Sequence, residues 1–189
     1  AVSKTFPLSA IAVVATTGQR AFGENYAQEG VDKASQRPDL EWHFIGPLQS
    51  NKTRPVAEVA SWVHGIDRLK IAERLSVQRG NSLPPLNVCI QVNVSGESSK
   101  SGVSPEALFE LAQQVVALPN LVLRGLMCIP EPTDDQAKLR SQFHQLAALR
   151  DALQQEGISL DTLSMGMSAD LELAIAEGAT WVRVGSAIF

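Results

Sequence analysis

The stretch Ala1-Val2-Ser3-Lys4-Thr5-Phe6-Pro7 opens the sequence, and the rest of the chain can be interpreted from it. A short apolar start leads to one lysine, and Pro7 prevents further strand pairing because it has no backbone N–H. We therefore expect Lys4 where a strand ends and its loop begins. A partly desolvated amine at such a point loses part of its preference for the protonated form and can attack aldehydes. A lysine at a strand end is more commonly an ordinary surface residue than a nucleophile. The rest of the sequence has to decide between these two interpretations.

Short β-rich runs alternate with amphipathic stretches along the whole chain. Such alternation indicates parallel strand pairing, because parallel neighbours need a crossover connection. The pattern predicts eight strands: Ala1–Thr5, Ala21–Gly23, Trp42–Gly46, Trp62–Ile66, Asn87–Val94, Val122–Ile129, Thr162–Met165 and Trp181–Val184.

The helices between these strands carry recognisable end signals. One begins with Ser104 as N-cap and Pro105 at the first helical position. A second has apolar residues at helical spacing over residues 139–153 and ends at Gly157, a typical left-handed cap residue. A shorter helix at Leu171–Glu177 also ends at a glycine.

Eight strand–helix units match a single (β/α)8 TIM-type barrel of parallel strands. No Gly-rich dinucleotide loop follows the first strand, which disfavours the alternative, an open doubly wound sheet. No linker or low-complexity segment divides the chain, so we predict one domain over residues 1–189. The chain opens without Met and stops at Phe189, and we expect it to be trimmed at both ends.

Composition excludes several classes of function. The net charge of −4 offers no electrostatic footprint for nucleic acid. The apolar segment Leu8–Ala15 is too short to span a membrane and lacks a basic leader. Cys89 and Cys128 have no CxxC spacing, which favours buried reduced thiols over a disulfide or metal site. These features predict a cytoplasmic protein, expected to be a monomer, without nucleic-acid or membrane partners.

Candidate site residues gather at the predicted C-terminal ends of the strands, where parallel barrels bind their ligands. His43 alternates with Ile45 and could point into the barrel, although a lone strand histidine is more often a core residue. The candidates are Lys4, Asn25, His43, Met127, Ser164, Ser168, Arg183, Gly185 and Ser186.

Two of these groups suit an anion. The stretch Ser164–Ser168 places hydroxyls and a glycine directly before a helix, whose free N–H groups attract negative charge, although a simple capped helix start is also open. Gly185-Ser186 offers a second close backbone approach. Arg183 lies two residues before Gly185, so both face the same side of the strand. A lysine, an anion cradle and an arginine on one rim together indicate pyridoxal 5′-phosphate (PLP) as cofactor.

The sequence resembles the pyridoxal-phosphate homeostasis proteins through nearly its whole length. The matching motifs are AVSKT, FGENY-x-QE, WHFIGPLQSNK, QVNVSGESSKSG, RGLM, LSMGMSADLELAI and RVGSAIF, in this order. The resemblance implies a barrel like the N-terminal domain of alanine racemase, of fold type III, with Lys4 as the Schiff-base lysine. It also implies the surroundings of the cofactor: Ser164, Ser168, Gly185 and Ser186 around the phosphate, Arg183 facing the pyridine nitrogen, and Asn25 and Met127 lining the ring. Compared with the family pattern, the usual leading helix and the residues after the last motif are missing.

Two functions follow from this resemblance. One is storage and supply of PLP, with a role in amino-acid and keto-acid balance and no substrate turnover; PLP-requiring apo-enzymes would be the recipients. The alternative is a fold type III racemase or decarboxylase. A guanidinium at Arg183 disfavours a protonated pyridine nitrogen and so weakens the ring as an electron sink. Enzymes of this fold also add a second domain, for which 189 residues leave no room. Racemases of this fold still perform carbanion chemistry, so it is the lack of room for a second domain that favours the first function. Lys100, in a glycine-bounded loop, is the other candidate carrier of cofactor.

Overall fold

The computed structural model describes residues 1–96 and 101–189, and Lys100 lies outside the described residues. Seven parallel strands form one sheet in chain order. They are β1 Ala21–Glu24, β2 Glu41–Phe44, β3 Trp62–Ile66, β4 Leu86–Gln91, β5 Leu121–Met127, β6 Thr162–Met167 and β7 Trp181–Arg183. The sheet curls into a nearly closed barrel, as the alternation of strands and helices predicted.

Helices cover the outside of this barrel. They are α1 Leu8–Thr16, α2 Ala27–Gln36, α3 Thr53–Val59 (preceded by a 3₁₀ turn at Ser50–Lys52), α4 Leu69–Arg79, α5 Pro105–Val116, α6 Gln136–Gln155 and α7 Leu171–Ala176. The predicted end signals are confirmed. The Ser104 hydroxyl accepts from the N–H of Ala107 at 3.4 Å, and Gly157 and Gly178 both have left-handed φ values, of 88° and 95°.

The opening segment closes the barrel but is not the strand that the sequence predicts over Ala1–Thr5. Val2 forms only an isolated parallel bridge with Gly23. On its other side, the Val2 N–H donates to the carbonyl of Val184 at 2.7 Å, so the segment lies between β1 and β7. Thr5 has a left-handed φ of 68°, which ends the extended run before a strand ladder forms. The barrel therefore has seven full strands, and a short bridging segment takes the eighth place.

The two faces of the barrel strands bury different residues. The outer face packs against the helices through aliphatic side chains such as Val88, Ile90 and Leu126. The inner face carries a small buried cluster of Trp62, Cys89 and Met127. Since successive strand residues alternate in direction, one sheet serves both a hydrophobic layer and a partly polar interior.

The tryptophans correct one expectation. Trp42, Trp62 and Trp181 each begin a predicted strand, a position that predicts packing at the bottom of the barrel. Trp62 and Trp181 do meet in edge-on contact at 5.8 Å. Trp42 instead lies on the outer side, packed with Ile11 and Phe22, because it alternates with the inward-facing His43.

Both cysteines are buried free thiols. Burial raises the pKa of the Cys89 thiol, and it raises the pKa of the Cys128 thiol to about 12. Thiols of this kind are structural, because reactivity requires the thiolate. Within the part of the chain that the structure describes, no helix is both long enough and apolar enough to cross a membrane.

Candidate functional site

A cavity of about 600 Å³ opens at the C-terminal ends of the strands. This size is typical of small-molecule sites. The side chains and backbone around it come from the segments that follow nearly every strand. They are Val2, Lys4, Asn25, Ile45, Gly46, Pro47, Gln91, Ser101, Ile129, Met167, Ser168, Ala169, Arg183, Gly185 and Ser186.

Nine residues were predicted for this site, and the structure brings six of them to the cavity: Lys4, Asn25, Ser168, Arg183, Gly185 and Ser186. Their convergence follows from parallel topology, since each lies at or just beyond the carboxyl end of the strand segment before it. His43, Met127 and Ser164 lie deeper in the barrel, away from the cavity lining.

The three deeper residues have other partners. Met127 is fully buried in the cluster with Trp62 and Cys89. Ser164 is also fully buried, and its hydroxyl contacts Arg183 and a histidine that the sequence analysis did not select, His64. A hydroxyl engaged in this way supports the arginine, which differs from the expectation that Ser164 contacts a phosphate.

Arg183 ends β7 with its guanidinium enclosed by the barrel. Nη1 donates to the Ser164 hydroxyl at 2.9 Å, and Nη2 donates to the carbonyl of Cys128 at 2.8 Å. Burial lowers the pKa of Arg183, but an arginine keeps its charge in proteins. Among residues 1–96 and 101–189, the side chain has no carboxylate within ion-pair distance. The cavity is therefore bordered by a fixed, directed cation.

Lys4 is exposed at the rim, which differs from the partial desolvation expected for it. The backbone on both sides of it is nevertheless tied down. The Ser3 carbonyl accepts from Lys33 Nζ at 2.7 Å, and the Thr5 N–H donates to Glu29 Oε1 at 2.6 Å. The lysine that could carry a ligand is thus held by its neighbours, while its own side chain stays accessible.

Lys33 is the centre of this support. It is a buried lysine on α2, and its ammonium contacts Glu24 Oε1 and Glu29 Oε1, both at 2.7 Å. The same Glu24 oxygen accepts from the Ser3 hydroxyl at 2.6 Å. Burial raises the pKa of Glu24, against the lowering effect of its bonds to Lys33 and Ser3, and its other oxygen, Oε2, has no hydrogen-bond partner. Removing one charge of such a buried pair would leave the other without its partner, which is strongly destabilising.

Backbone crowding shapes the side of the cavity between β1 and β2. A Cβ added to Gly46 would lie 2.2 Å from the carbonyl oxygen of Asn25, so only glycine permits this approach. The Ile45 N–H donates to the Glu24 carbonyl at 2.9 Å and continues the pairing up to this point. Asn25 is thereby set at the cavity edge.

Several residues of the cavity lining were not among those predicted from the sequence. Gln91 ends β4 and lines the cavity, as do Ile45, Gly46 and Pro47 after β2. The glycine–proline pair directly after a strand was the signal that could have identified this wall. Lys33 carried no such signal, because a lysine on an amphipathic helix is ordinarily a solvent-facing residue.

The charge of the cavity is one-sided. Its described lining contains the cations Lys4 and Arg183 and no carboxylate side chain. Gly185 and Ser186 lie near Arg183 in sequence and offer backbone and hydroxyl groups at the same rim. A small anion, together with a group that reacts with an amine, suits this arrangement.

Comparison with known families gives the class of this barrel. The family model for "Alanine racemase, N-terminal domain" matches residues 1–189. An alanine racemase from Clostridium difficile superposes with a TM-score of 0.81 at 14% identity, covering all of this chain and 50% of that chain. At this identity the similarity concerns the fold alone.

Nearer relatives specify the family. Pyridoxal phosphate homeostasis proteins from Pseudomonas aeruginosa and Escherichia coli are 61% and 55% identical, and the matches cover 100% of this chain and 82% and 83% of those proteins. The structure of PipY from Synechococcus elongatus with PLP bound has a TM-score of 0.92 at 39% identity, over 100% of this chain and 90% of that chain. This chain belongs to the pyridoxal phosphate homeostasis protein family.

Proposed function

We propose that this protein binds pyridoxal 5′-phosphate in the rim cavity, through a Schiff base on Lys4, and acts in PLP homeostasis without turning over a substrate. The observation that carries this proposal is the cavity itself, with Lys4 and Arg183 in its described lining and no carboxylate beside them. The names of the relatives and the PLP-bound PipY structure support the same cofactor.

The residues present fit the chemical groups of PLP. Its aldehyde condenses with a lysine amine with loss of water, and Lys4 is the accessible lysine among the described residues of the cavity lining. Its phosphate suits the hydroxyls of Ser168 and Ser186 and the open backbone at Gly185, where a Cβ would have nothing closer than 3.6 Å. When bound, the cofactor would supply a reactive carbonyl, and these residues would hold it in the cavity.

Arg183 argues against strong electron-sink chemistry. A guanidinium beside the pyridine nitrogen disfavours protonation there, because two positive charges would then face each other. Its hydrogen bonds to Ser164 and Cys128 keep this donor in place. A protein built to store and deliver PLP has no need of a protonated ring, whereas carbanion chemistry gains from one.

Removing the hydroxyls of Ser168 and Ser186 tests the phosphate end of the cavity. The double alanine variant should bind PLP at least about 150-fold more weakly, because two hydrogen bonds to a charged acceptor are removed and each contributes about 1.5–3 kcal/mol. Pyridoxal without the phosphate should bind as it does to the unchanged protein. Fluorescence titration with both compounds measures the two affinities.

The matched control is Ser141→Ala, which removes an exposed hydroxyl from α6. It should leave both affinities unchanged. Equal losses for PLP and pyridoxal in the double variant would mean that these serines shape the rim and do not bind the phosphate.

The absence of turnover is tested by hydrogen exchange at the substrate Cα. Racemisation needs two groups that move a proton on opposite faces of the substrate. The single tyrosine, Tyr26, is 58% exposed and is not part of the described cavity lining. The PLP-loaded protein should exchange the Cα hydrogen of L- or D-alanine in heavy water no faster than free PLP does, as followed by proton NMR. Faster exchange that disappears in Tyr26→Phe would establish the racemase alternative.

A further inference from the structure

A continuous line of polar side chains runs through the barrel interior, away from the cavity. Arg183 Nη1 is 2.9 Å from Ser164 Oγ, which is 2.8 Å from His64 Nδ1. His64 Nε2 is 2.9 Å from His43 Nδ1, and His43 Nε2 is 3.0 Å from Glu41 Oε1. Glu41 is the first residue of β2 and Arg183 is the last residue of β7, so the line connects opposite ends of the barrel.

The two ends of this line determine the direction of every bond in it. A guanidinium can only donate hydrogen bonds, and an ionised carboxylate can only accept them. The Ser164 oxygen therefore accepts from Arg183, and the Glu41 oxygen accepts from His43. With both imidazoles neutral, each ring has one donor and one acceptor.

With both imidazoles neutral, only one arrangement satisfies all four hydrogen bonds. The Ser164 hydroxyl donates to His64 Nδ1, His64 Nε2–H donates to His43 Nδ1, and His43 Nε2–H donates to Glu41. In the reverse arrangement, His43 Nε2 and Glu41 would be two acceptors 3.0 Å apart. Both histidines are thus assigned the Nε2–H tautomer. His43 is also stacked against Trp62 at 5.4 Å, which fixes its ring plane.

The charges agree with this direction. The hydrogen bond from His43 lowers the pKa of Glu41, so the carboxylate end stays ionised. Burial, together with the charge of Arg183, holds the pKa of His64 well below its ordinary value, so this ring is neutral. Hydrogen bonds that all point in the same direction polarise one another. The charge of Glu41 can therefore influence Arg183 more strongly through this chain than through isolated dipoles.

Arg183 needs such a partner because no carboxylate of the described residues pairs with it directly. Burial lowers the pKa of Arg183, and the charge of Asp170 offsets this only in part; the Asp170 side chain accepts from the Met167 N–H and does not join the line. Glu41 is the one carboxylate that is connected to the guanidinium by hydrogen bonds at every step within the described chain.

We propose that Glu41 is the remote counter-charge of Arg183, connected to it by a hydrogen-bond chain of fixed direction through the barrel. Glu41, His43 and His64 are then positioning residues, which hold the guanidinium and set the electrostatic field that it presents to the cavity. The hydrogen-bond chain forms in the protein without cofactor. Its effect on the pyridine ring of bound PLP rests on the proposed function.

The first test reads the tautomers in the cofactor-free protein. The sequence has three histidines, and the exposed His144 serves as the internal reference. Long-range ¹H–¹⁵N NMR at pH 8 should show the Nε2–H form alone at His43 and His64. Glu41→Ala, which lets water meet His43, should give mixed tautomers at both rings, while Glu41→Gln retains an acceptor and should keep the single form. An Nδ1–H form at either ring in the unchanged protein would overturn the proposal.

The second test reads the field at the cavity. The absorption maximum of bound PLP should shift in Glu41→Gln and Glu41→Ala, and should stay in place in the exposed-carboxylate control Glu73→Gln. Unshifted maxima in both Glu41 variants would show that Glu41 does not act on Arg183. A protein that binds no PLP would contradict the proposed function instead, and the tautomer test would still decide the hydrogen-bond chain.

Discussion

Lys4→Ala protein treated with PLP and then borohydride should carry no pyridoxyl group on the peptide that begins the chain, whereas the unchanged protein should be labelled there. The expected effect is complete because the reduced Schiff base is a covalent bond that only an amine can form. The yellow absorption of the bound cofactor should disappear in the same variant. Mass spectrometry of the peptides and visible spectra measure both losses.

The design includes two further lysines. Lys70 is exposed on α4, and Lys70→Ala should be labelled as the unchanged protein is. Lys100 is the other carrier that the sequence suggests, so Lys100→Ala should also keep the label at Lys4. A visible band that persists in Lys4→Ala, with the label now found at Lys100, would show that Lys100 carries the cofactor and would overturn the assignment to Lys4.

Local patterns in the sequence predicted most of the barrel. The observed bounds of β3 are the predicted ones, and the bounds of the other full strands differ from the predicted bounds by at most three residues at either end. The opening segment was the exception. Its place between β1 and β7 depends on bonds to Gly23 and Val184, which are far apart in sequence and leave no local signal of how short the paired stretch is.

The residues of the candidate site also fall into two groups, those that local sequence patterns predict and those that depend on contacts between strands. Residues directly after strands, such as Lys4 and Ser186, could be placed on one rim from topology alone. Ser164 could not be assigned to Arg183, because this contact depends on the register between β6 and β7, which shifts at a bulge. His64 on β3 was not predicted for a similar reason. It contacts His43 on the neighbouring strand β2, and nothing in the sequence indicates which side chains of two paired strands are in contact.

The buried cation Lys33 supports the second large expected effect. Lys33→Met should destabilise the protein by about 3–5 kcal/mol, because Glu24 would remain as a buried carboxylate without its counter-charge. For a chain of this size, the melting temperature should fall by roughly 6–20 °C. Thermal unfolding followed by circular dichroism measures the change, and Lys70→Met, on the exposed face of α4, is the matched control.

The pH dependence distinguishes charge from packing. In Lys33→Met the pKa of Glu24, already raised by burial, should rise further, so the variant regains stability relative to the unchanged protein as the pH falls and Glu24 takes up a proton. Adding Glu24→Gln should likewise recover a large part of the loss at neutral pH, since removing both charges of a buried pair costs far less than removing one. A deficit that stays the same at all pH values and in the double variant would show that Lys33 acts through its aliphatic chain. Lys33→Met should also label more slowly at Lys4, because Lys33 no longer holds the Ser3 carbonyl beside it.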